Sequence, residues 1–253
     1  MYAWLRRRWP QFGWSLGLWL LAASLTASVT YLWFPGFHYW IDGGWQGLRM
    51  VSLIDLVLGP VLFLIVYRPQ KPPHLLRIDF SILLLVQLSA MVYGLWRVHA
   101  SRPVADVYLL DGFYPTVAAD YERHGVDPQR LRAYSSSHPP LIFLHHVEGQ
   151  ALKALIRKVM VQDIPIYAQD VLWQPLRGQA DDPLVTDRSA LLHRLQQPSH
   201  PLHAALMRRF APLSAHDYAL FNGRYGKALL VFDRQERLQG SLLFPADTHP
   251  LRP

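Results

Sequence analysis

The sequence predicts a membrane protein with three N-terminal transmembrane helices followed by a mixed α/β periplasmic domain. Apolar residues crowd into the first hundred of 253 positions. There, three stretches reach the roughly 20 residues that a membrane-spanning helix needs. After residue 100 the chain alternates strand-like and helix-like periods, as a globular domain does. Two domains follow, residues 1–99 in the bilayer and residues 100–253 outside it.

The first span, about residues 13–34, is preceded by Arg6, Arg7 and Arg8 and runs into Tyr31, Leu32, Trp33 and Phe34, an aromatic belt suited to a membrane interface. A cleavable signal peptide competes for this segment, since Ala22, Ala23, Ser24, Ala27 and Ser28 are small. Against it, the apolar run is long for a signal and continues into the aromatic belt. Phe34-Pro35-Gly36 and Gly43-Gly44 mark a tight outer turn, with Phe37, Tyr39, Trp40 and Trp45 expected at headgroup level.

The second span, about residues 47–67, contains Ile54-Asp55-Leu56-Val57-Leu58-Gly59-Pro60. A carboxylate in hydrocarbon is costly and faces a partner, a cavity or water. Asp55 stands one turn before Gly59 and Pro60, where Pro removes a backbone donor and Gly admits a neighbouring helix. Gln87, in the third span (about residues 80–98), lies at comparable depth. Three readings stay open: an Asp55 to Gln87 hydrogen bond holding the helices together, a contact with another membrane protein, or a proton relay or ion pathway, for which a single acid in three helices is a poor fit.

Between these spans Arg68, Lys71 and Arg77 form a short, Pro-rich basic hairpin, in which Arg77 and Asp79 serve as anchors and caps at the inner surface. Residues 35–46 hold no Lys or Arg. Because Lys and Arg stay on the cytoplasmic side of short loops, the N-terminus and the second loop are cytoplasmic and everything after Val98 is periplasmic. Arg97 and Arg102 at the outer end weaken this asymmetry without reversing it. The absence of cysteine suits an oxidising compartment and excludes disulfides and Cys-based chemistry.

In the outer domain, Val104 to Leu110, the turn Asp111-Gly112 and Phe113 to Ala118 read as a hairpin, and Leu141 to Val147 as a further strand. From Gly149, Leu152, Leu155, Ile156, Val159 and Met160 fall at helical spacing with Lys153, Arg157 and Lys158 opposite. Such a helix packs on a sheet or lies on a membrane surface. Thr186 to Gln196 and Pro201 to Phe210 are further helices, and Gln174 to Asp187 is a mobile loop. Tyr218 to Asn222, Lys227 to Asp233 and Leu238 to Phe244 are strands.

The formal charge of +7 does not point to nucleic acid. Residues 1–99 carry eight Lys/Arg against three Asp/Glu, and the remaining residues seventeen against fifteen, so the folded domain has no cationic excess to track phosphates. Nine of the twelve histidines follow residue 120, yet no metal site is expected. His145 and His146 would point to opposite faces of a strand, and His200 with His203 lacks a completing ligand. Ser135, Ser136 and Ser137 before His138 lack the nucleophile elbow of a hydrolase. No phosphate-binding glycine loop or dinucleotide fingerprint occurs, so neither a cofactor nor catalytic residues are expected.

The ordered set Phe34-Pro35-Gly36, Gly43-Gly44, Ile54 to Pro60, Leu76-Arg77-Ile78-Asp79, Gln87-Leu88, Tyr93-Gly94 and Arg102-Pro103-Val104 resembles the TfpX/TfpZ family of type IV pilin accessory proteins. These blocks cover roughly residues 34–120. The resemblance implies a multi-pass bacterial inner-membrane protein, without enzymatic activity, that assists expression, stability or assembly of a cognate type IV major pilin and meets inner-membrane pilus assembly components. Asp55, Gly59, Pro60 and Gln87 then become candidates for contacting the pilin's transmembrane helix. The alternative is an extracytoplasmic sensor or regulatory subunit binding a small ligand, which lacks a cytoplasmic output module. A membrane-embedded enzyme comes third, with only His38, Asp42 and Arg49 available near the outer surface.

Overall fold

The structure, a computed structural model, describes residues 24, 26–53, 72–109, 112–145, 147–176 and 188–245. Two compact units result, one of residues 1–33 with 44–99, the other of residues 34–43 with 100–253. The ten residues 34–43 thus fold with residues 100–253 rather than with the helices that flank them, which moves them from the expected membrane domain to the other unit.

In the first unit residues 26–33 and 44–53 are helical, and helix α2 spans Pro73–Ala100. The short helix α1, His38–Ile41, belongs to the second unit. Proline suits a helix start, where its missing N–H has no partner to lose. As a consequence Arg77 and Asp79, expected in a hairpin, lie inside the first turns of α2. Its residues 74–100 form the one segment, among those described, long and apolar enough to cross a membrane. Leu84, Leu88, Leu85, Ile82 and Val86 are exposed over a broad apolar face of the helix, the pattern of a helix with one wide side against lipid. Ser81 and Ser89 donate to the carbonyls of Arg77 and Leu85 at 2.9 and 2.7 Å, so their hydroxyls need no water. Two glycines set the packing: a Cβ on Gly47 would lie 2.7 Å from Val98 Cγ2, and one on Gly94 would lie 3.0 Å from Val51 Cγ2. Small residues let the two helices approach closely, as in membrane bundles. Most of the first two expected spans, residues 13–23 and 54–67, lies outside the described residues.

The second unit is built on a seven-stranded sheet ordered β4-β3-β1-β2-β5-β6-β7. Its strands are β1 Pro103–Leu109, β2 Gly112–Val117, β3 Leu141–Leu144, β4 Trp173–Pro175, β5 Asp217–Asn222, β6 Lys227–Phe232 and β7 Leu238–Leu243. Pairing is antiparallel within the β1/β2, β3/β4, β5/β6 and β6/β7 pairs and parallel for β1/β3 and β2/β5. Successive side chains point to opposite faces, so each strand contributes to two cores. On one face Phe113, Phe143, Phe221, Leu230 and Phe232 pack with Ile41 and Phe37 of the 34–43 segment. On the other face, Val107, Ile142 and Leu144 are covered by Tyr121 of helix α3 (Ala118–Glu122) and Leu155 of helix α4 (Gly149–Gln162). Further along that face, Leu229 and Val231 lie under Leu195 of α5 (Arg188–Leu195) and under Leu206 and Phe210 of α6 (His203–Phe210).

The expected strands and helices of this unit are present with ends shifted by a few residues, β1, β2 and β5 each starting one residue earlier than expected, and β4 and the short helix α3 are new. Trp173 anchors β4: its indole donates to the Tyr167 carbonyl at 2.8 Å while its ring meets Tyr121 edge-on. Residues 177–187 of the expected mobile loop lie outside the described residues.

Candidate functional site

The 34–43 segment carries the most unusual chemistry. Gly36 and Gly43 take positive φ angles of 62° and 117°, which turn the chain into and out of the short helix α1 (His38–Ile41). One helical turn brings Asp42 beneath His38, whose Nδ1 contacts Asp42 Oδ2. On the opposite edge of the imidazole, Nε2 lies 3.1 Å from Oδ2 of Asp106 in β1. Asp106 faces this way because strand alternation sends Ala105 and Val107 to the other core. All three side chains are almost fully buried.

Aromatic rings and backbone donors close the site. Phe37 stacks on His38 with centroids 4.2 Å apart, and Phe221 meets the imidazole edge-on at 5.2 Å. Asp42 Oδ1 accepts from the Arg224 backbone N–H at 3.2 Å, and the Ile41 carbonyl accepts from Tyr225 N–H at 2.8 Å. Both bonds come from the β5–β6 turn, where only glycine fits at two positions. A Cβ on Gly223 would sit 2.7 Å from Asp42 Oδ1, and one on Gly226 2.8 Å from Ile41 Cγ2.

Burial alone would lower the His38 pKa, but the charge and hydrogen bond of Asp106, joined by Asp42, overcome it and raise it to about 9. The ring is therefore an imidazolium at neutral pH, donating from both nitrogens. Burial raises the Asp106 carboxyl and His38 opposes this; its second oxygen, Oδ1, meets no donor among the described residues. With both ring nitrogens engaged on opposite sides, His38 is no free base, and its two carboxylates cannot converge on one ion. The arrangement is a buried latch that holds the 34–43 segment on the sheet. It removes His38 and Asp42 from the outer-surface polar groups considered for a membrane-embedded enzyme. It also buries Tyr39 and half-buries Phe37, expected at headgroup level, whereas Trp40 and Trp45 are exposed.

Other expected positions are more dispersed. Asp55, Gly59 and Pro60 lie outside the described residues, as do Arg6, Arg7, Arg8, Arg68 and Lys71. Gln87 is half-buried midway along α2, Arg77 is exposed, and Asp79 and Arg102 are half-buried. His200 Nδ1 accepts from Leu202 N–H at 3.2 Å and His203 Nδ1 meets the Leu195 carbonyl at 2.9 Å, so each ring is tied to local backbone. Ser135 and Ser137 bond one another at 2.7 Å and line a groove of about 660 Å³ with Pro175, Glu236 and Leu238. No group of three potential ligands is placed to hold a metal ion among the described residues.

Comparison with known proteins gives this fold its context. Over 91 residues, 36% of the chain, the sequence is 37% identical to a Dichelobacter nodosus protein named "Fimbrial assembly protein, serogroups C1 and C2", covering 70% of that relative. The chain belongs to this family of fimbrial assembly proteins. Two further D. nodosus fimbrial assembly proteins, of serogroup E1 and serogroup I, are each 36% identical over 92 and 91 residues. The match spans only 36% and 35% of their lengths. No protein-family model matches the chain, and no solved structure matches it.

Proposed function

We propose that this chain is an inner-membrane accessory protein of type IV pilus biogenesis, of the TfpX/TfpZ kind, that assists stability or assembly of a cognate major pilin by protein–protein contact. The observation that carries the reading is membership of the fimbrial assembly family at 37% identity over 91 residues. Helix α2 supports a membrane location by its length and its broad exposed apolar face. The protein acts without catalysis, holding the pilin before its helix leaves the bilayer, with the periplasmic domain engaging the pilin's globular head. Within the bilayer the contact runs through Asp55, Gly59, Pro60 and Gln87.

A photo-crosslinking residue at Gln87, in cells making the cognate pilin, tests this contact. The expected product is a covalent adduct containing the pilin. A protein that remains abundant and yields no adduct from Gln87 or from Asp55 overturns the intramembrane contact.

A further inference from the structure

Helix α4 has a wider apolar face than the sheet covers. Leu155 alone is buried against the core, whereas Leu152, Ile156 and Met160 share a face and are exposed, Met160 by 79%. Lys153 and Arg157 border that strip, and Lys158 lies beyond Leu155. None of the three cations forms a salt bridge among the described residues, and α4 itself contains no acid; Glu148 and Asp163 stand at its two ends. A strip of long apolar side chains edged by cations is the composition of a helix that lies in a membrane interface.

We infer that α4 seats its Leu152–Ile156–Met160 strip in the surface of an anionic bilayer, with Lys153, Arg157 and Lys158 meeting lipid phosphates. The inference rests on the membrane-spanning reading of α2. Only Ser101 and Arg102 separate Ala100, the end of α2, from Pro103 at the start of β1. So short a tether keeps the domain close to the bilayer and makes docking an intramolecular event at high effective concentration. A weak amphipathic surface suffices under those conditions. Charge complementarity selects anionic headgroups over zwitterionic ones.

The chain has no cysteine, so single-cysteine variants of the full protein report cleanly on their surroundings. Nitroxide labels at Met160→Cys, at Ala154→Cys on the other side of α4, and at Leu85→Cys in α2 are compared in nanodiscs of phosphatidylglycerol with phosphatidylethanolamine and in nanodiscs of phosphatidylcholine. Collisions with oxygen and with a polar nickel chelate distinguish lipid from water. The expected result is lipid at Leu85 in both discs, lipid at Met160 only in the anionic discs, and water at Ala154. Each cation changed to Gln should lower the lipid-to-water ratio at Met160 roughly fivefold. Water at Met160 with lipid at Leu85 overturns the inference and leaves the spanning helix standing. Water at Leu85 overturns both. Protection of Met160 only after pilin is added assigns the face to a protein instead.

Discussion

His38 Nε2 lies 3.1 Å from Asp106 Oδ2, which ties a segment flanked on both sides by helical stretches to the first strand of the sheet. The chain passes between its two units before Phe34, after Gly43 and before Ala100. The latch therefore holds the 34–43 segment on the sheet of the second unit.

Replacing His38 with Ala leaves Asp42 and Asp106 buried without their shared cation. Removing one partner of a buried ion pair costs about 3–5 kcal/mol. Chemical denaturation of the full protein in nanodiscs should show a loss of that size, and His38→Gln, which keeps a donor, should lose less.

The latch makes stability depend on pH in a defined direction. A histidine whose pKa rises from 6.5 unfolded to about 9 folded contributes fully below pH 6.5, and its contribution is lost as pH climbs through about 9. The raised Asp106 carboxyl works with the same sign, because the folded state holds its proton more tightly. Unfolding midpoints measured across that window should fall, and His38→Gln should flatten the decline.

Gly223→Ala places a methyl group 2.7 Å from Asp42 Oδ1 and 2.9 Å from the Ile41 carbonyl. The backbone cannot yield as a flexible side chain can, so a cost of about 1–3 kcal/mol is expected. Hydrogen exchange should locate the loosening at residues 34–43 rather than across the sheet.

Tyr121→Phe isolates one hydrogen bond. Thr116 donates to the Ala105 carbonyl at 3.0 Å, so the Tyr121 hydroxyl donates to Thr116 at 2.8 Å. Loss of that bond, with the ring retained, should cost about 1 kcal/mol by denaturation. Tyr121→Ala, which empties a fully buried ring site, should cost about 3–5 kcal/mol.

Strands β5 and β6 could be read from the sequence because each is a short apolar run bounded by turn residues, and the fold buries both faces of it. The β5–β6 and β6–β7 hairpins follow their patterns of apolar residues closely, with the Asn222-Gly223 and Arg234 to Arg237 turns where expected. Strand β4 was hidden because three residues carry no usable period, and it depends on Trp173 finding Tyr121 and the Tyr167 carbonyl. The latch was partly visible: His38 and Asp42 have the spacing of one helical turn, and Asp106 interrupts an apolar strand. Nothing local to either motif showed that they meet, since that requires the 34–43 segment to leave its neighbours and cover Phe113 and Phe221. The aromatic residues around His38 instead suggested a membrane interface, a role that Trp40 and Trp45 fit and Tyr39 does not.

The proposed role in pilus assembly is tested most directly by measuring sheared surface pilin against total cell pilin in a strain lacking this gene, with and without a plasmid copy. The account predicts that surface pilin falls and returns with the plasmid. Retained total pilin would place the protein at assembly, and a parallel fall at pilin stability. Unchanged surface and total pilin would contradict the proposed function.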